Sequence, residues 1–346
     1  MTRSPVLLVG AHGSPYSRKM RAVLRFRRIP FRWILRGSRE DTGIPPVPVD
    51  LIPVLVLPGE GGGAPQAMVD STFQIRKLEE MHRERSIRPP DPVLDFLDAL
   101  IEDYGDEWLT KAMFHYRWAF APDIFRASRV LPLDARLDLD DEKHAAFTKM
   151  FSERQIGRLG VVGSNPTTAP AIEAGYRRLL VCLDRLLRNR PFLFGARPSA
   201  GDFGIYGQLT QLVAFDPTSA AIAADVGPRA VAWVSHVEDL GGLEADPAGW
   251  LPAADALPAL RPLLEEIGRT YAPFLIANAA ALDSGAERVE CEIDGVAWTQ
   301  KPFPYQRKCL RALRAAHGAL DGSVRRNVDA ALAGTGCEIL FGKEKP

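Results

Sequence analysis

The chain has 346 residues, and its 43 lysines and arginines balance its 43 aspartates and glutamates, giving a formal net charge of +0. Hydrophobic residues make up 46% and charged residues 25%, which is typical of a folded protein and argues against a disordered one. The absence of a basic excess argues against a general nucleic-acid-binding protein. No apolar run reaches the ~20 residues of a membrane-spanning helix, and no signal peptide is recognisable. We therefore expect a cytoplasmic protein with no membrane or nucleic-acid partner.

The four cysteines are widely spaced and match no metal-binding or redox motif. We expect them to be buried free thiols in a reducing compartment, and we expect no metal site.

The N-terminal part predicts a small mixed sheet with helices on its faces. Strands are predicted at residues 6–9, 31–34, 52–57 and 66–69, and helices from Pro15 and from Asp70-Ser71. The order is βαβ-ββα, which is typical of an α/β domain, here residues 1–84.

Residues 85–92 contain three prolines and predict a linker to a larger, all-α domain at 93–346. Helical periodicity is found at 94–118, 173–187, 203–212, 229–237 and 257–271. The exception is a small β-hairpin near 288–300, where Val289, Cys291 and Ile293 alternate ahead of Asp294-Gly295.

The run Ser14-Pro15-Tyr16-Ser17 lies where the first strand passes into the first helix. A helix N-terminus offers unpaired N–H groups and partial positive charge, so it favours an anion bound there, and a serine hydroxyl can donate to such an anion. The competing interpretation is that Ser14 only caps the helix.

Three further motifs follow along the chain. Ile52-Pro53 puts a proline inside a strand-like run, where it removes a hydrogen-bond donor. Asp70-Ser71 can bind an anion or simply cap the next helix. Ser199 and Asp202 have the spacing of a capping box, which is a structural feature.

In their order and spacing, these four motifs resemble those of the cytosolic glutathione transferase superfamily, over residues 5–83 and again over 192–212. The serine-containing first motif resembles that of many bacterial members. The resemblance implies a thioredoxin-like N-terminal domain and an enlarged helical C-terminal domain. Segments 123–168 and beyond 270 lie outside it.

The resemblance also implies roles for particular residues. Ser14, or else Ser17, with Tyr16 as a third candidate, would activate the thiol of glutathione, which serves as a cosubstrate. The helix N-terminus would favour the thiolate, and a hydroxyl that donates to the sulfur would favour it further. Ile52 would precede a cis Pro53 and offer its backbone to the cysteinyl group, while Asp70 and Ser71 would bind the γ-glutamyl end. The stretch before Ile52 lacks the basic or amide side chain that often holds the glycyl carboxylate.

One helix face is a candidate substrate pocket. Trp108, Lys111 and His115 share it by three- and four-residue spacing, and Tyr16 could approach from the first motif. A buried aromatic face is the alternative interpretation.

Three functions are known for proteins that such a chain resembles. The first is a glutathione transferase that conjugates glutathione to a hydrophobic electrophile, as a homodimer by analogy with relatives. The second is a binding or scaffold protein of the same fold, similar to metaxins. A thiol–disulfide enzyme would need a cysteine in the first motif, where this chain has Ser14 and Ser17.

Overall fold

The computed structural model describes residues 5–59 and 63–342. Its N-terminal domain contains a four-stranded sheet in the order β2-β1-β3-β4. The strands are β1 (Val6–Gly10), β2 (Phe31–Leu35), β3 (Val54–Leu57) and β4 (Gln66–Met68). β1 runs parallel to β2 and antiparallel to β3, and β3 runs antiparallel to β4. The predicted βαβ-ββα order is confirmed.

Helices α1 (Pro15–Phe26) and α2 (Ser71–Met81) cover one face of this sheet. α1 begins at a proline because its missing N–H costs no hydrogen bond at the first helical position. Its apolar side chains recur at helical spacing and bury Met20, Val23 and Leu24 completely.

The C-terminal domain is mainly helical, with a two-stranded antiparallel hairpin as predicted. Its α-helices are α3 (Pro92–Glu107), α4 (Leu109–Ala119), α5 (Ala121–Val130), α6 (Asp141–Ile156), α7 (Ala169–Leu186), α8 (Ala200–Leu212), α9 (Pro217–Val226), α10 (Pro228–Val237), α11 (Ala253–Ser284), α12 (Pro304–Gly318) and α13 (Gly322–Leu332). The hairpin strands are β5 (Val289–Ile293) and β6 (Val296–Gln300). Short 3-10 turns lie at Leu131–Leu133, Leu159–Val162, Pro247–Gly249 and Cys337–Leu340.

Two helices differ from the sequence-based prediction. The segment predicted as one helix over 94–118 is two helices, α3 and α4, that meet at Trp108. The helix predicted over 257–271 extends to 253–284 and continues through three internal prolines, although each removes a backbone hydrogen-bond donor. Buried apolar side chains such as Leu264 and Leu275 lie along its length and hold it against the domain.

A close backbone contact packs α8 of the helical domain against the N-terminal domain. A Cβ atom on Gly207 of α8 would lie 2.8 Å from the carbonyl oxygen of Pro15, so α8 packs directly on the first turn of α1. Ser199 and Asp202 form the predicted capping box at the start of α8.

In the described ranges, no helix is both long enough and apolar enough to span a membrane. The four cysteines are free; Cys309 and Cys337 are buried, and the other two are half-buried.

Candidate functional site

The three N-terminal motifs meet at one end of the sheet. Val9 at the end of β1 pairs with Val54 at the start of β3, and Leu55 pairs with Met68 at the end of β4. The end of β1, the start of β3 and the end of β4 therefore lie at the same edge of the sheet. From this edge the chain continues from β1 into α1 and from β4 into α2. This topology brings the loop before Ser14, the Ile52-Pro53 peptide and the Asp70-Ser71 pair to that edge.

Ser14 is the N-cap residue of α1, and its hydroxyl oxygen accepts from the backbone N–H of Ser17 at 3.3 Å. Its side chain is half-buried. Capping uses the hydroxyl only as an acceptor, and within the described ranges no hydrogen bond uses its proton. Ser14 can therefore cap the helix and still donate to a bound anion.

The hydroxyl of Ser17 lies in a different place. Its side chain is fully buried and accepts from the N–H of Ala11 at 3.3 Å, beneath the loop. A Cβ atom on Gly10 would come within 2.4 Å of Ser17 Oγ, so no side chain fits between the loop and this hydroxyl. Ser17 supports the loop from inside, which leaves Ser14 as the serine with access to a ligand.

The Ile52–Pro53 peptide bond is cis, as the resemblance implied. The carbonyl oxygen of Pro53 accepts from Gln74 Nε2 at 2.8 Å, which attaches this turn to α2. Within the described ranges, no hydrogen bond from another residue uses the N–H or C=O of Ile52. The half-buried Ile52 thus presents both backbone groups for an external partner.

Asp70 caps α2 in a strained backbone conformation with φ 77°. Its Oδ1 accepts from the N–H groups of Thr72 (3.1 Å) and Phe73 (3.2 Å), and its Oδ2 accepts from the Tyr305 hydroxyl at 2.6 Å. Ser71, the first residue of α2, is buried beside it. The pair therefore lies at a helix N-terminus, as the sequence predicted.

A buried ionic cluster lies directly behind Ser71. Lys19 of α1 contacts Ser71 Oγ at 3.2 Å, Glu102 Oε1 at 2.7 Å and Asp106 Oδ2 at 2.6 Å. Burial lowers the pKa of Lys19, but the two carboxylates outweigh burial and the net shift is upward. Burial raises the pKa of Asp106 to about 6, against the opposing effect of Lys19. A fixed ammonium thus stands beneath the Ser71 hydroxyl, and two acids neutralise its charge.

Side chains of the helical domain hold the loop before Ser14 from the other side. Arg117 Nη1 donates to the carbonyl oxygen of Gly13 at 3.0 Å, and its guanidinium forms a buried ion pair with Asp216. Asp134 Oδ2 accepts from the N–H of Gly13 at 2.9 Å. Leu131 leaves no room for a side chain there, because a Cβ on Gly13 would lie 2.3 Å from its Cδ2.

The predicted substrate face does not open toward this edge. Trp108, Lys111 and His115 are each at most 4% exposed. Trp108 packs on Trp298 of the hairpin with ring centroids 5.3 Å apart, and His115 Nδ1 lies 2.8 Å from Ser164 Oγ. The face is covered because the hairpin and the 159–168 segment fold over it.

Tyr16 is closer to the site, but its hydroxyl is engaged. It donates to the carbonyl oxygen of Asp106 at 2.8 Å, which links α1 to the end of α3. Burial and the acids Glu107 and Asp106 raise the pKa of Tyr16 well above its usual value. Of the four candidate pocket residues, Tyr16 alone belongs to the first motif, two positions after Ser14.

Sequence reasoning missed Lys19, Arg117, Asp134 and Tyr305. Lys19 belonged to a basic run that resembles a solvated helix face, and its two acids lie more than 80 positions along the chain. The other three come from the helical domain and carry no local motif. Within the described ranges, no group of three or more histidine, cysteine, aspartate or glutamate side chains is arranged to hold a metal ion.

Two family models match the chain in the expected order. The glutathione S-transferase N-terminal domain model matches residues 8–86, and the glutathione S-transferase C-terminal domain model matches residues 153–236. These two stretches therefore belong to the N-terminal and C-terminal domain families of the glutathione S-transferases. The second match begins inside the 123–168 segment that the sequence analysis set outside the resemblance, so residues 153–168 belong to the family domain.

Solved structures similar to this chain include glutathione S-transferases from bacteria and plants. One from Methylobacterium radiotolerans JCM 2831, in complex with glutathione sulfonate, is 22% identical and has a TM-score of 0.36, covering 66% of this chain and 93% of that chain. A Tau-class enzyme from mango, Mangifera indica, is 18% identical (TM-score 0.41; coverage 74% and 96%). One from Rhodospirillum rubrum F11 is also 18% identical (TM-score 0.41; coverage 72% and 98%). A search of curated proteins found no match.

Proposed function

We propose that this protein binds glutathione at the sheet edge described above, stabilises its thiolate and conjugates it to a hydrophobic electrophile. One observation carries the proposal. The capped N-terminus of α1, the unpaired backbone of Ile52 and the N-terminus of α2 lie at one edge, in the order that a γ-glutamyl-cysteinyl peptide requires.

In this proposal, the γ-glutamyl carboxylate binds at the N-terminus of α2. The Ser71 hydroxyl, which donates to Asp106 Oδ2 at 3.3 Å in this structure, turns to this carboxylate. The backbone N–H of Ser71 also donates to it, since Asp70 already uses those of Thr72 and Phe73. Asp70 accepts from the α-amine. Ile52 pairs its N–H and C=O with the cysteinyl backbone, as an added strand would.

The thiol would then lie at the N-terminus of α1. The helix dipole and the Ser14 hydroxyl both favour the thiolate over the thiol, and the proton passes to solvent. The thiolate sulfur attacks the electrophilic carbon and forms the carbon–sulfur bond, while the electron pair of the bond that breaks leaves with a leaving group or, in conjugate addition, moves onto the acceptor, which takes a proton from solvent. Because the nucleophile belongs to the cosubstrate, the protein needs only to position and stabilise it.

We further propose that the protein works in the cytoplasm as a homodimer. Val49, Leu51 and Phe73 expose more than half of their apolar side chains near the site, and a second copy would cover them. The molecular mass in solution tests this assembly.

Calorimetric titration with glutathione tests the site. Ser71→Ala removes a donor to the γ-glutamyl carboxylate, so we expect about ten- to a hundredfold weaker binding, since a hydrogen bond to a charged group contributes about 1.5–3 kcal/mol. Ser152→Ala is the matched control, because that hydroxyl donates only to Lys149 within its own helix. Equal affinity in both variants would contradict the proposed site.

A scaffold protein of this fold is the second candidate. It is favoured by the internal partners of the predicted contacts: Asp70 already accepts from Tyr305, and Ser71 from Lys19. Absence of glutathione binding at millimolar concentration would support the scaffold, and binding without turnover would separate a binding protein from an enzyme.

A further inference from the structure

The helix α12, which lies outside both family matches, begins beside the N-terminus of α2. Its second residue, Tyr305, donates its hydroxyl to Asp70 Oδ2 at 2.6 Å. The residue Tyr305 is 37% exposed and Asp70 is half-buried, so a small ligand can reach the contact from solvent. Burial and the Asp70 carboxylate raise the pKa of Tyr305, so the phenol keeps its proton and remains the donor.

The remaining hydrogen-bonding capacity of Asp70 is limited. A carboxylate offers about four acceptor positions. The N–H groups of Thr72 and Phe73 use Oδ1, and Tyr305 uses one side of Oδ2. What remains is one acceptor position on Oδ2, adjacent to the phenol oxygen, which is itself an acceptor. Together these two oxygens suit a primary ammonium, which has three donors.

The position of Tyr305 is held by contacts on both sides of it in the chain. Asn278 of α11 exchanges two hydrogen bonds with the backbone of Phe303, at 2.8 and 3.0 Å. Gln306 is buried and donates to the carbonyl oxygen of Glu107 at 3.1 Å. The start of α12 is therefore fixed against α11 and α3, so Tyr305 is oriented before any ligand binds.

We propose that Tyr305 is a further ligand-binding residue, which orients the Asp70 carboxylate and contacts the α-amine of the γ-glutamyl group. The inference rests on the proposed glutathione site. Asp70 uses Oδ1 to cap its own helix, so only its Oδ2 can accept from a ligand. The C-terminal segment thus supplies a second acceptor at a subsite where the aspartate alone offers a single free position.

The test compares two ligands, glutathione and the analogue in which hydrogen replaces the α-amine (glutaryl-cysteinyl-glycine), by calorimetric titration. Tyr305→Phe removes only the hydroxyl from an exposed position, so the variant is expected to fold. We expect about three- to tenfold weaker binding of glutathione and unchanged binding of the deaminated analogue. The matched control is Arg311→Gln on the exposed face of the same helix; among residues 5–59 and 63–342, Arg311 pairs only with Asp283.

An equal loss for both ligands would assign Tyr305 a merely structural role and overturn the inference. Unchanged or tighter binding of glutathione would also overturn it, and tighter binding would identify the phenol as an obstruction. If the unaltered protein binds neither ligand, the proposed function itself fails, and the inference fails with it.

Discussion

Lys111 holds its side-chain nitrogen in an apolar cage. Nζ lies 4.1 Å from the ring centroid of Phe274 and less than 6 Å from those of Trp108 and Trp298. It donates to Gln300 Oε1 at 2.8 Å and to a backbone carbonyl. Burial lowers the pKa of Lys111 to about 7, although Glu107 opposes the shift. Near neutral pH this residue costs stability, because the unfolded chain binds a proton that the folded chain releases.

Lys111→Met should reveal this cost in urea unfolding measured across pH. The folded pKa of about 7 lies below the unfolded value of 10.5, so the stability present above the unfolded pKa is lost as the pH falls toward 7. As the pH falls from 10.5 toward 7, the free energy of unfolding of the variant should therefore rise relative to that of the unaltered protein, by up to about 1.4 kcal/mol for each pH unit of decrease. Lys308→Met, at an exposed lysine, should show no such trend. A constant difference between Lys111→Met and the unaltered protein would contradict the account.

At the scale of elements, the 3-10 turn Leu131–Leu133 and the following Asp134 form part of the proposed site. This segment lies between the two family matches. It brings a carboxylate to the N–H of Gly13, the residue before the α1 cap, and a leucine against the same glycine. A negative charge at this helix N-terminus stabilises the loop, but it also opposes a thiolate bound nearby.

Asp134→Asn separates these two effects, because the amide oxygen can still accept from Gly13 while the charge is removed. A charge near a helix terminus contributes about 0.3–1 kcal/mol, so the pKa of the bound glutathione thiol should fall by a few tenths of a unit. Asp138→Asn, an exposed aspartate paired with Arg39 and Arg136, is the control. The pKa is read from thiolate absorbance, and a pKa that stays constant or rises would refute the electrostatic role.

Elements whose determinants are local could be predicted from the sequence. Pro15 after Ser14 defines the start of α1, and the alternation ahead of Asp294-Gly295 defines the hairpin. The break at Trp108 and the continuation of α11 beyond residue 271, through Pro273, could not be predicted. Both depend on tertiary packing, which here overrides the local tendency of the backbone.

At the scale of the whole molecule, buried and half-buried ion pairs join the domains. Lys19 of α1 pairs with acids of α3, and Arg117 of α4 holds the loop at Gly13. Glu238 at the end of α10 accepts from three arginines of α1: Arg18, Arg21 and Arg25. Removing one partner of a buried pair leaves an uncompensated charge, so these contacts fix how the helical domain sits on the site.

The same long-range pairing explains which parts of the candidate site the sequence could indicate. Ser14, Pro53 and Ser71 lie in short motifs whose chemistry is readable from neighbouring residues. Tyr305 lies 235 positions from Asp70, and no periodicity links them. The sequence could not indicate that the predicted pocket face is buried. Helical spacing shows that Trp108 and Lys111 share a face, but not which element covers it.

The central claim is that this edge of the sheet binds glutathione as its thiolate, and the pKa of the bound thiol tests it most directly. Ultraviolet absorbance of the complex across pH should give a pKa at least one unit below the ~8.5 of a free cysteine thiol. In Ser14→Ala the pKa should rise toward that value, because the hydroxyl donor is lost. It should not reach that value, because the helix dipole still favours the thiolate. Bound glutathione with the pKa of the free thiol, or with the same pKa in both proteins, would contradict the account.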